Sequence, residues 1–247
     1  MSDRLRRDER GEAMSSSALV RAVCHEVGNL LAAVRLRAHL LGEPESSLSE
    51  SESPRESQAP GGPQTPAELA ASAIEIDDAC ARAGALLATL GPLVEGAPCS
   101  RSLIAPAVLV SGLRDALEDH GGRGARLAFE LEPGLPEVET DAALLHSVLL
   151  LGLYGAVEAV DGRGLVALRA RREAGAVAFE VADDGDAPED VLAWRSGAPR
   201  GRSLVCALTD AVAGLLDGRL EVGRVEGRTR LAVVLPAVSA LADPAAE

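Results

Sequence analysis

The sequence predicts an α+β fold: a two-helix hairpin that dimerises into a four-helix bundle, followed by an α/β sandwich. Three observations support this. Two apolar stripes at helical spacing flank a polar segment, and from about residue 100 short alternating runs are interspersed with helical ones. Hydrophobic residues make up 47% of the chain but aromatics only 2%. A core built from Ala, Leu and Val favours close helix packing over an aromatic-rich β-sandwich.

The elements follow in order. Residues 1–14 are mixed in charge and read as a disordered tail. Ser15, Ser16 and Ser17 offer N-caps for a first helix. Val20, Val23, Val27, Leu30, Leu31, Val34, Ala38 and Leu41 then recur at intervals of three and four along one helical face. Gly42 and Pro44 end it. Residues 43–64 contain nothing able to form a core and are expected to be a disordered loop.

Thr65-Pro66-Ala67-Glu68 is a helix start, with Thr65 as N-cap, Pro66 at the first helical position and Glu68 closing a capping box. Leu69, Ala73, Ile76, Cys80, Ala83, Leu87 and Leu90 carry the second apolar face. A lone hairpin has little to bury its two stripes against, so pairing with a second copy is expected. Residues 15–95 form this unit.

The second unit spans 100–237. Helices are predicted at 105–120, 141–160 and 203–216. Strands are predicted at 126–132, 165–171, 176–182, 219–222 and 229–235, mostly antiparallel. Residues 238–247 read as a second tail.

Charge and composition exclude several functions. The formal net charge is −14 and every basic side chain is Arg. An acidic surface matches nucleic acid poorly. Without lysine there is no Schiff base and no P-loop. The four cysteines, Cys24, Cys80, Cys99 and Cys206, form no C-x-x-C pair and read as reduced thiols of a cytoplasmic protein. Residues 1–13 lack the apolar run of a signal peptide, and no uncharged apolar stretch reaches the ~18–20 residues of a membrane span, so no membrane association is expected.

The chemistry centres on His25 in Val23-Cys24-His25-Glu26-Val27-Gly28-Asn29-Leu30-Leu31. His25 lies ~160° around the helix from Val27, at 100° per residue, so it faces away from the apolar stripe. A phosphate-accepting histidine needs that exposure, a rigid support and a neighbour that takes the Nδ1 proton so that Nε2 can attack. Glu26 follows His25 directly and is the expected proton acceptor. Asn29, one turn on, can hydrogen-bond near the same spot. His39, His120 and His146 share no metal-ligand spacing with one another, and no metal site is expected.

The segment HEVGNLL resembles the H-box of histidine kinases, H-E-x-x-N-P-L, with Leu30 replacing the usual Pro. The hairpin resembles the dimerisation and phosphotransfer domain of that family, and residues 101–236 resemble its ATP-binding domain in element order. Within the latter, DAALLHSVLLLGLYGAVEAV at 141–160 is similar to the N-box helix, but the two asparagine positions are Leu151 and Gly155. Neither side chain can ligate a hard cation. Glu158 is the only carboxylate nearby in that helix.

The adenine motif D-x-G-x-G reads Asp183-Asp184-Gly185-Asp186-Ala187, leaving Asp183 and Gly185 as a vestigial nucleotide site. At the phosphate-cradling G-L-G-L stand Ser203-Leu204-Val205-Cys206, where the second glycine has become a β-branched residue. The preceding segment, 188–202, is short for an ATP lid, and Arg200 and Arg202 read as solvated charges. A triphosphate with roughly four negative charges would be poorly compensated here.

The resemblance thus implies a histidine phosphotransferase of a phosphorelay: His25 carries phosphate between receiver-domain aspartates of response regulators, as a homodimer and without cofactor. Two alternatives stand beside it. One is a divergent kinase that autophosphorylates His25 with ATP and Mg²⁺. The other is a non-catalytic pseudokinase that acts as a binding module.

Overall fold

The computed structural model describes residues 16–42, 65–96, 98–119, 124–185, 191 and 199–238. The expected N-terminal tail, the 43–64 loop, residues 239–247 of the second tail, His120, Asp186 and Ala187 lie outside the described residues.

Two long helices come first, α1 (Ser16–Gly42) and α2 (Pro66–Glu95). The start of α2 is the capping box read from the sequence. The Thr65 hydroxyl accepts from the Glu68 amide at 3.3 Å, and the Thr65 amide donates to the Glu68 carboxylate at 2.7 Å. Gly96 closes the helix in the left-handed conformation at φ 61°. The helices run antiparallel: Arg37, late in α1, pairs with Glu75, early in α2, while Leu19 and Val23 share a cluster with Ala85 and Leu86.

The buried stripe of α2 is rotated from the expected one. Asp78, Ala79, Ala83, Ala85, Leu86 and Thr89 are buried, while Leu69 and Leu87 are 42% and 55% exposed. The cause is a third partner. Besides α1, α2 packs on the second unit, so its covered face is set by two contacts rather than one.

That unit contains β1 (Ser102–Ile104), α3 (Pro106–Asp119), β2 (Arg126–Leu131), β3 (Val138–Thr140), α4 (Ala142–Ala159), β4 (Leu165–Glu173), β5 (Ala176–Asp183), α5 (Gly201–Leu215), β6 (Arg219–Val225) and β7 (Arg228–Pro236). Five strands form one sheet in the order β2-β4-β5-β7-β6. β2 runs parallel to β4, and the other neighbours are antiparallel. β1 and β3 make a separate antiparallel pair not foreseen from the sequence; each is three residues long, too short for an alternation signal.

α3, α4 and α5 cover one face of the large sheet. The core between them holds Leu113, Leu117, Leu145, Leu149, Leu153, Leu168, Phe179, Val212 and Leu235, all at 2% exposure or less. Asp141 caps α4: one carboxylate oxygen accepts from the Leu144 amide and the other from the Ser100 amide, tying the linker to the helix start.

A second cluster joins hairpin to sandwich. Leu19 and Val23 of α1 and Ala85 and Leu86 of α2 meet Leu151 of α4 and Leu204, Ala207 and Leu208 of α5. Arg82 of α2 adds an ion pair to Glu158 at the end of α4, at 2.9 Å.

Among the described residues two helices are long and apolar enough to cross a membrane by length and composition, Ser16–His39 and Ala142–Ala159, where none was expected. The second is the central helix of the sandwich, which explains its hydrophobicity without a bilayer.

Candidate functional site

His25 sits on the exposed side of α1, two residues beyond the fully buried Val23. The buried face anchors the backbone between α2 and α5, so the imidazole is presented from a supported helix. The Asn29 side-chain amide lies 3.2 Å from His25 Nδ1. Positions four apart stack on one helix face, so this contact follows from the spacing alone. It differs from expectation in one respect: Asn29, not Glu26, is the Nδ1 partner. Glu26 is adjacent in sequence and projects about 100° around the axis, and among the described residues it makes no hydrogen bond to the ring. The Asn29 amide nitrogen donates to Nδ1, which suits the tautomer with its proton on Nε2; turning the amide over brings its oxygen to an Nδ1 proton and frees the Nε2 lone pair.

The vestigial nucleotide site is arranged quite differently from an open pocket. Asp183, at the end of β5, is 1% exposed. It is paired with Arg202 of α5, Nη2 to Oδ2 at 2.5 Å. The Gly185 amide also donates to Asp183, at 3.1 Å. Burial pushes the Asp183 carboxyl above its usual range, against the opposing pull of Arg202 and of the Gly185 amide. Arg202, read from sequence as a solvated charge, is therefore an internal ion-pair partner. No local spacing signals the pair, because the two residues lie 19 apart on different elements.

Gly185 has a structural reason of its own. A Cβ there would fall 2.5 Å from the Ala159 carbonyl oxygen, so only glycine lets the end of β5 approach the end of α4.

The positions that depart from the family motifs make packing contacts here. Leu151, at the first asparagine position, is 3% exposed in the cluster that joins hairpin and sandwich. Gly155, at the second, faces Arg202, whose Cγ lies 3.4 Å from where a Cβ would stand. Ser203 caps its own helix: its hydroxyl accepts from the Arg200 amide and donates to the Arg200 carbonyl, both at 2.8 Å. Val205 packs against both the interdomain cluster and the one formed by Val191, Cys206, Leu220 and Leu231. Glu158 is turned to Arg82.

Residues of this kind do not fit ATP with a divalent cation. The two positions that would face the metal are an alkyl side chain in an interface and a glycine covered by a guanidinium. Among the described residues no group of three or more His, Cys, Asp or Glu is placed to hold a metal ion. The other described histidines lie elsewhere: His39 is exposed near the end of α1, and the His146 ring faces Gly112 of α3, where an added Cβ would meet it at 3.9 Å.

No protein-family model matches the chain, and no curated protein matches it. Solved structures do. The Acinetobacter baumannii histidine kinase AdeS is 14% identical over 87% of this chain and 98% of its own, with a TM-score of 0.54. The histidine kinase ThkA in complex with response regulator protein TrrA is 15% identical, covering 95% of this chain and 64% of that one, also at 0.54. At such identities the likeness speaks for the fold: a helical hairpin and an ATPase-type α/β sandwich, joined as they are in two-component histidine kinases.

Proposed function

We propose that this chain is a histidine phosphotransferase of a two-component phosphorelay, taking phosphate from one receiver-domain aspartate and passing it to another without turning over ATP. The observation that carries this reading is a contrast within one molecule. His25 is exposed and oriented by Asn29, while the nucleotide pocket of the same fold is closed by the Arg202–Asp183 pair.

The chemistry follows from the ring. The Nε2 lone pair of neutral His25 attacks the phosphorus of an aspartyl phosphate. The N–P bond forms as the P–O bond to the aspartate breaks, and that carboxylate leaves. For the attack the ring takes the Nδ1–H tautomer, and the Asn29 amide turns its oxygen to that proton as positive charge develops on the imidazole. The reverse steps deliver the phosphoryl group to a second aspartate. Glu26 adds negative charge beside the ring without a direct bond to it.

Response-regulator receivers are the partners in this reading, as the solved ThkA complex with TrrA exemplifies for that kinase. A homodimer is supported by the apolar side chains that the hairpin leaves uncovered, among them Leu31 at 56%, Leu36 at 60%, Leu69 at 42% and Ile74 at 49% exposure. The four free cysteines, two of them exposed, fit a reducing cytoplasm.

The experiment uses the purified chain, an acid-labile radiolabel and two donors. Phosphorylated receiver labels the wild type and leaves His25→Ala unlabelled; ATP with Mg²⁺ labels neither. Label from ATP alone would establish a divergent kinase instead. Failure of any receiver to label the wild type would leave a non-catalytic binding module.

A further inference from the structure

The remnant pocket of the sandwich is built like a binding site but filled from within. Gly152 and Gly155 of α4 form one side, Val181, Val191 and Leu231 supply apolar walls, and Arg202 lies among them. The space left is about 20 Å³, room for about one water molecule. The Arg202 stem rests on the Gly155 backbone, and its guanidinium donates to both oxygens of Asp183, at 2.5 and 3.5 Å. Thr229 lines the same cavity, is 2% exposed, and its hydroxyl has no hydrogen-bond partner among the described residues.

We propose that Arg202 is an internal plug that occupies its own domain's nucleotide pocket and is latched there by Asp183.

Three features argue for a plug rather than an incidental ion pair. The first is volume. The Arg202 stem passes 3.4 Å from where a Cβ of residue 155 would stand, so it fills the space beside that glycine, and a side chain longer than a methyl there would compete with it. The second is charge. A carboxylate at 1% exposure needs a cation or a proton, and Arg202 is the cation the structure supplies. The third is what lies beneath. Withdrawing Arg202 would leave a carboxylate and an unpaired hydroxyl converging between apolar walls, the composition of a small-molecule site. The inference rests on the reading that ATP is not turned over, and it gives that reading a physical cause separate from the lost metal positions.

The test compares wild type, Arg202→Ala and Arg202→Lys with adenosine as the probe. Adenosine lacks phosphates, so the missing metal positions do not affect the outcome. Calorimetry is expected to show adenosine binding at least about tenfold tighter in Arg202→Ala than in wild type. Arg202→Lys keeps a cation for Asp183, covers the case in which Arg202→Ala does not fold, and also gains affinity because the shorter head vacates part of the space. Millimolar guanidinium, measured against equal KCl, is expected to raise the melting temperature of Arg202→Ala by several degrees and weaken its adenosine binding, with neither effect in wild type. Adenosine affinity in both variants within about threefold of wild type overturns the plug. So does a guanidinium effect equal in wild type and Arg202→Ala. Labelling of the wild type from ATP would instead sink the ATP-independent reading, so the two failures are told apart.

Discussion

The Arg202 guanidinium and the Asp183 carboxylate meet at 2.5 Å, with the Arg202 stem beside Gly155, inside a domain whose fold is shared with the histidine kinase AdeS. Breaking this pair strands a cation. Asp183→Asn is expected to lower unfolding stability by about 2–3 kcal/mol, somewhat less than for a wholly enclosed pair because Arg202 keeps some contact with solvent. Urea denaturation of the purified variant measures it, and an unchanged midpoint would show that the pair contributes nothing.

Leu151 is a second test of what replaced the nucleotide chemistry. Leu151→Asn restores the residue that the resemblance places there. It also buries an amide in the cluster with Leu19, Val23, Leu204 and Leu208. The expected cost is about 2–4 kcal/mol, from lost apolar burial and an unpaired polar group. A stability equal to wild type would mean that the hairpin does not pack on α4 and α5 as described.

Asn29 provides a kinetic test. Asn29→Ala removes the group that orients the imidazole on an exposed helix face, so stability should move by less than about 0.5 kcal/mol. The rate of phosphoryl transfer from a receiver should fall about tenfold, because the ring loses its fixed orientation. Asn29→Asp, which keeps an acceptor four residues from the histidine, should retain more of that rate. Equal rates in all three proteins would remove Asn29 from the mechanism.

Tyr154 gives a prediction about pH. It is the chain's single tyrosine and lies in α4 where α2 packs. Its hydroxyl is pushed up to about 12, first by burial and then by the charges of Asp78 and Asp77, with Arg82 opposing. A phenol raised above its ordinary value of about 10 contributes stability that is complete below that pH. The contribution is lost as pH rises through about 12. Phenolate absorbance should therefore show one late transition, coincident with loss of helical signal. A midpoint near the ordinary value would mean that α2 does not cover Tyr154.

Much of the fold was legible because its signals are local. The Thr65-Glu68 capping box, the strand-like runs of β4 and β5 with their tight turn, and the helical spacing around His25 each depend on residues within a few positions of one another. Asn29 four residues after His25 belongs to the same class. The rest was not legible because it depends on residues far apart in sequence. The rotated face of α2 reflects contact with α4. The role of Arg202 depends on Asp183 and on space left at Gly155. Glu158 appeared available to a metal until Arg82 of α2 was placed beside it.

By itself the sequence determined the helical hairpin, the strand-and-helix order of the sandwich and the outward face of His25, since periodicity and caps act over one or two turns. Only the tertiary structure decided what fills the remnant nucleotide pocket. Burial forces every charge and void to be matched by whatever the fold brings near, and for Asp183 and Gly155 that is a single arginine from the next helix.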